Sequence, residues 1–154
     1  MKDKKQQLVI GQMDKKLTMF QPVEQVIVPD KGWLNAVRTS LKMTLQQFGS
    51  RLHITPQSVN ELELREASGN ITLNRLREAA DALDMKLVYG MVPKHGSIEA
   101  MIEKRAKELA RKIVLRTSNS MKLEDQENSA ERIEKAINEK AEEIKEELPK
   151  YLWE

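Results

Sequence analysis

The 154-residue sequence predicts a mainly α protein with at most one short strand. Three observations carry that expectation. Only two Trp, two Tyr and two Phe occur, too few for the aromatic-rich packing of a sandwich or barrel. The apolar residues are mostly Leu, Ile, Ala and Met, and they recur at three- and four-residue spacing. Threonines and prolines stand where helices would start.

Residues 1–31 read as an N-terminal helix and an extended linker. Leu8, Met13, Leu17 and Phe20 give rough helical spacing, which Gly11 weakens. Pro22, Pro29 and the β-branched run Val26-Ile27-Val28 then disfavour helix.

Residues 32–93 hold the densest pattern. Leu34, Val37, Leu41 and Met43 share one helix face. Thr44 caps a second helix, with Gln47 at its third position as a capping-box partner. Leu45, Phe48, Gly49 and Leu52 form its apolar side, and His53-Ile54 make a tight turn. Thr55 caps a third helix that carries Pro56 at its first position, where the missing N–H costs nothing. Val59, Leu62 and Leu64 are read as facing inward, and residues 65–71 as a loop. Thr72 caps a fourth helix with Leu73, Leu76, Ala79, Ala80 and Leu83 inside. Residues 85–92 suit a short strand or extended arm, with Pro93 to Gly96 as a break.

Residues 94–154 return to helix. Ile98, Met101, Ile102, Leu109 and Ile113 make one stripe, and residues 117–120 (TSNS) offer a break and cap. Ile133, Ile137, Ala141, Ile144 and Leu148 mark a further amphipathic helix that ends at Pro149. A helix with a single apolar face must lay it on something: the body, a partner chain or a second copy.

Composition excludes several function classes. Without cysteine there is no disulfide, thiolate nucleophile or cysteine metal site. His53 and His95 alone cannot build a histidine metal site, and both read as turn or loop residues. No apolar run approaches the length of a membrane span, and the Leu8-Val9-Ile10 run is too brief for a signal-peptide core, so a cytoplasmic protein is expected. Neither a phosphate loop nor a nucleophile elbow nor a His–carboxylate pair is legible, and Glu142-Glu143 are ordinary helix-surface positions. The expectation is a binding protein without catalysis or cofactor.

The net charge of +2 conceals a polarity. Residues 1–93 carry 13 Lys/Arg against 10 Asp/Glu, residues 94–119 carry 7 against 3, and residues 120–154 carry 6 against 11. A basic body with an acidic tail fits a nucleic-acid binder with an interaction segment, although a solvated charged helix has the same look.

The segment TLQQFGSRLHITPQSVNELE, residues 44–63, joins two capped helices through a short turn. Gly49 stands where those helices must approach closely, and Val59 and Leu62 anchor the third helix. These spacings resemble the helix-turn-helix of the lambda-repressor and Cro-like family, and residues 33–83 resemble its whole helical core. The resemblance implies that the start of the third helix lies in the major groove of double-stranded DNA. Gln57, Ser58, Asn60 and Glu61, with Pro56, lie on its outward side, and Gln or Asn can pair bidentately with adenine. Arg38, Lys42, Arg51 and Arg65 are candidate phosphate contacts, which supply affinity without sequence choice. The sequence departs from the family at Leu45, where Gln is frequent, and at His53, where Gly is usual. His tolerates the left-handed conformation better than most residues.

Residues 32–94, with ELARKIVLRTSNSMKLEDQ further on, resemble the family called mobile mystery protein A over nearly the whole chain. Its genes are typically paired with mobile mystery protein B, which carries a Fic domain that transfers AMP from ATP to hydroxyl groups. The pairing implies an antitoxin that inhibits a Fic-domain toxin and represses its own operon. Fic inhibitors resemble one another in a helical motif: Ser or Thr, three residues, Glu, then Gly or Asn. Its glutamate competes with the ATP γ-phosphate for an arginine of the enzyme. Here the match is Ser120 and Glu124, with Asp125 departing from the motif. The same two residues equally suit a helix cap and an acidic first turn. Ile133, Ile137 and Ile144 are then the expected partner-binding residues. The alternative is a stand-alone phage-type repressor whose C-terminal helices form a homodimer.

Overall fold

A computed structural model describes residues 3–122 and 130–154, with side chains described for 3–118 and 130–154. Seven α-helices account for most of the described residues: α1 Lys4–Thr18, α2 Trp33–Ser40, α3 Leu45–Leu52, α4 Pro56–Ser68, α5 Leu73–Ala82, α6 Ile98–Lys122 and α7 Ala130–Glu147. Short 3-10 turns span Gln21–Gln25 and Lys150–Trp153. The described residues contain no strand. Residues 85–92, which the sequence predicts as a strand or arm, are irregular, and among the described residues no second segment is paired with them. A strand needs a neighbour to satisfy its backbone. Here Tyr89 is held instead by Arg77 of α5, whose guanidinium stands 5.6 Å above the ring.

The chain divides into two compact units, Val23–Gly90 and Met1–Pro22 with Met91–Glu154. The sequence pattern places the N-terminal helix together with its linker over 1–31. The structure instead groups α1 with the C-terminal helices, and the linker with α2–α5.

In the Val23–Gly90 unit, α3 packs on α4 and α5, and α2 packs on α4. Leu34, Phe48, Val59, Leu62, Ala79 and Leu83 form the buried core. Three of its helices start where the sequence placed their caps. Thr44, Thr55 and Thr72 accept hydrogen bonds from the backbone N–H groups of Gln47, Ser58 and Arg75, each at 3.1 Å. The start of α2 is capped from a distance. Its N-cap, Gly32, has no side chain, and Glu66 Oε1 accepts from Leu34 N at 2.7 Å. A Cβ on Gly32 would lie 2.6 Å from that carboxylate, and its φ of +86° also favours glycine. For Glu66 to reach this place, α4 must run on to Ser68, through what the sequence suggested was a loop beginning at Arg65. Gly69, in the left-handed conformation, ends it.

In the other unit α6 and α7 pack along their length. Small residues of α6, Ala106 and Ala110, admit Ile137, Ala141 and Ile144 of α7, with Ile102 and Leu152 completing the core. α1 lies against α6, with Ile10 packed on this core. Asp14 of α1 caps α6: its carboxylate accepts from Ile98 N at 2.7 Å and from Glu99 N at 3.3 Å. The expected break at residues 117–120 is absent, because α6 continues to Lys122. Thr117 donates its hydroxyl to the Ile113 carbonyl at 3.1 Å, satisfying itself without leaving the helix. Among the described residues no helix is long and apolar enough to cross a membrane.

Candidate nucleic-acid interface

The turn between α3 and α4 occupies three residues, His53 to Thr55. At the start of α3 Thr44 and Gln47 exchange reciprocal hydrogen bonds, fixing where the helix begins. At its end His53 adopts φ 58° and ψ 39°, and Ile54 N donates to the Gly49 carbonyl at 2.9 Å. His53 therefore serves as the left-handed cap of α3, the place glycine fills most easily. His53→Gly is expected to stabilise the unit by about 0.5–1 kcal/mol, since a non-glycine residue pays about 1–2 kcal/mol for that conformation and glycine returns part of it as chain entropy. A urea titration of the two proteins checks this; an unchanged or lower midpoint for His53→Gly contradicts it.

Gly49 is the close-approach point. A Cβ there would stand 2.6 Å from the Ile54 carbonyl oxygen and 3.3 Å from Val59 Cγ2. That backbone atom cannot swing aside as a flexible side chain can, so the absence of a side chain at 49 sets how closely α3 meets the turn and α4. Val59 and Leu62 point into the core beside Phe48.

With 59 and 62 buried, helical geometry turns 57, 60, 61 and 64 to the other side. Gln57, Asn60 and Glu61 are all exposed there. Ser58 is half-buried and partly engaged, accepting from the Thr55 hydroxyl at 2.9 Å. Leu64, read from sequence as inward, is 61% exposed on the same stripe. Two residues past the buried Leu62 is about 200° around a helix, so strict periodicity already placed it outward. An apolar side chain among amides suits a thymine methyl group as well as amides suit adenine. Gln46 of α3 is exposed as well, and no local pattern in the sequence singles it out.

The four basic candidates separate. Lys42 is exposed just before α3, and Arg65 is exposed on the C-terminal half of α4. Arg51 is half-exposed; it donates to the Ala82 carbonyl at 3.2 Å and lies 3.8 Å from the Asp84 carboxylate. Arg38 is not a surface cation. Its side chain is 12% exposed and that of Glu63 5%. The guanidinium donates through Nε and Nη2 to the Glu63 carboxylate, and through Nη1 to the Met43 carbonyl at 2.9 Å. Asn35 Nδ2 adds a further bond to Glu63 at 3.2 Å. The expectation of a phosphate contact at Arg38 is thus corrected: Glu63, on the buried side of α4, draws the arginine inward.

The partner-facing candidates also divide. Glu124 lies outside the described residues, and Ser120 falls inside α6 rather than at a helix start. Ile137 and Ile144 are each 1% exposed, and Ile133 packs on the same core. Their apolar face is spent on α6, so their assignment to a partner surface is corrected as well. No family model, curated protein or solved structure matches the chain.

Proposed function

We propose that the chain is a DNA-binding antitoxin: its Val23–Gly90 unit reads an operator in double-stranded DNA through a lambda-repressor-like helix-turn-helix, and its C-terminal region binds and silences a Fic-domain AMP-transferase. One observation carries the DNA half. α3 and α4 are locked across a three-residue turn by Gly49, Val59 and Leu62, and that lock leaves Gln57, Asn60, Glu61 and Leu64 together on an exposed stripe of α4. The stripe offers two amides, a carboxylate that can accept from cytosine N4, and an apolar side chain, a mixture suited to base edges. Lys42, Arg51 and Arg65 supply cations for phosphates on either side.

Duplexes selected by the protein from a random pool provide the test. Gln57→Ala and Asn60→Ala should each relax preference at one or two base pairs, by about 1–3 kcal/mol. Arg51→Ala should weaken binding to every duplex and flatten its salt dependence. Unchanged preference in both amide variants means that α4 is not the reader.

The inhibitory half rests on the family resemblance and on the shift to acidic residues after 120. In this reading Glu124 takes the place of the ATP γ-phosphate at an enzyme arginine, and Ser120 is the first residue of the same motif. Glu124→Ala should then restore AMP transfer while the two proteins still co-purify. A Glu124→Ala protein that suppresses transfer at a stoichiometric ratio removes the glutamate mechanism. The alternative is a stand-alone repressor whose C-terminal helices dimerise; it would need a surface other than the isoleucine face of α7, which packs on α6 of the same chain.

A further inference from the structure

A second surface belongs to the Met1–Pro22 and Met91–Glu154 unit. Leu17 of α1, Met91, Val92, Ile98 and Met101 of α6, and Trp153 line an open groove of about 610 Å³. Met91, Met101 and Trp153 are exposed in it. Two cations stand at its edge, Lys94 and Lys104. Neither has a carboxylate within ion-pair distance among the described residues. The third cation, Arg105, is occupied: it donates to the backbone oxygens of Leu152 and Glu154 at 2.7 and 2.6 Å and faces Glu108 at 3.6 Å.

We infer that this groove seats an acidic amphipathic helix of a partner protein. Apolar side chains at i, i+3 or i+4, and i+7 fill the groove, and flanking carboxylates meet Lys94 and Lys104. Charge argues against a second copy of the chain. Two grooves placed face to face would bring four uncompensated lysines together. The acidic surface of α7 could answer that charge, but it carries no exposed large apolar residue to enter the groove. A second copy joined groove to groove or through α7 is thus disfavoured, the proposed occupant is a different protein, and the inference holds whether or not that protein has a Fic domain.

The probe is a labelled helical peptide of about 18 residues, with Leu at those spacings and Glu elsewhere, titrated against the full chain by anisotropy. A Lys-for-Glu twin and a scrambled Glu peptide are the controls. The acidic amphipathic peptide should bind, and only it. Met101→Glu and the double variant Lys94→Glu/Lys104→Glu should each weaken it about tenfold or more, with the double variant also losing the salt dependence. Lys135→Glu, exposed on α7, should leave binding unchanged. All three variants lie at surface positions and should keep the wild-type thermal midpoint. Absence of binding, equal binding of either control peptide, or indifference to the groove variants overturns the inference. So does a concentration-dependent dimer abolished by Met101→Glu, or capture by phosphatidylserine vesicles without capture of the peptide.

Discussion

Arg38→Ala is expected to destabilise the Val23–Gly90 unit by about 3–5 kcal/mol, the cost of leaving a buried charge without its partner. Glu63 is held by Arg38 and Asn35, and only Asn35 would remain. The Met43 carbonyl would lose its donor as well. Replacing both charges, as Arg38→Met with Glu63→Leu, should recover most of the loss, because apolar side chains of similar volume avoid the desolvation cost. The distinction matters for DNA. If Arg38 acts through Glu63, any Arg38→Ala protein that remains folded should keep the wild-type slope of affinity against salt, with one phosphate contact neither lost nor gained. Wild-type stability combined with a flatter salt slope would return Arg38 to the phosphate backbone.

Ile137→Ala and Ile144→Ala should each cost about 2–5 kcal/mol in the α1–α6–α7 unit, the range for truncating a fully buried aliphatic residue. Both are buried against Ala106 and Ala110, whose small side chains leave little to collapse into the vacated space. Ile133→Ala, half-buried at the rim of that core, should cost less. Amide hydrogen exchange separates this outcome from a role in partner binding. Lost protection across α6 and α7 in the free protein marks core residues. Native protection with a weakened complex marks an interface, and would contradict the packing described above.

Local signals are legible in the sequence, and remote ones are not. The caps at Thr44, Thr55 and Thr72 act on amides three residues away, so the pattern contains both partners. The same holds for Gly49 and for the left-handed turn at His53. The cap of α2 comes from Glu66, 32 residues from the amide it serves, and α6, besides its local cap at Ser97, takes a second one from Asp14, 84 residues away. No periodicity reports such a meeting. The lost break at residues 117–120 has a different cause: hydroxyl side chains suit a helix start, yet Thr117 is also content inside a helix by bonding back one turn. Spacing assigns Arg38 to a side of its helix but does not report the buried Glu63 carboxylate that waits there. Ile137 and Ile144 are legible as an apolar face, whereas the surface they cover, α6 of the same chain, is not. Of the exposed stripe on α4, Gln57, Asn60 and Glu61 are legible from the inward register of Val59 and Leu62; Leu64 follows the same register although its apolar character suggests the core.

Titrating the isotopically labelled full chain with a selected duplex, and following backbone and side-chain amide shifts, tests the DNA reading most directly. The side-chain amides of Gln57 and Asn60 and the backbone of residues 56–61 and 64 should shift most, saturate together, and respond less to an unrelated duplex. Shifts confined to Lys and Arg positions, the same for every duplex, or centred on α6 and α7, would contradict sequence reading through α4.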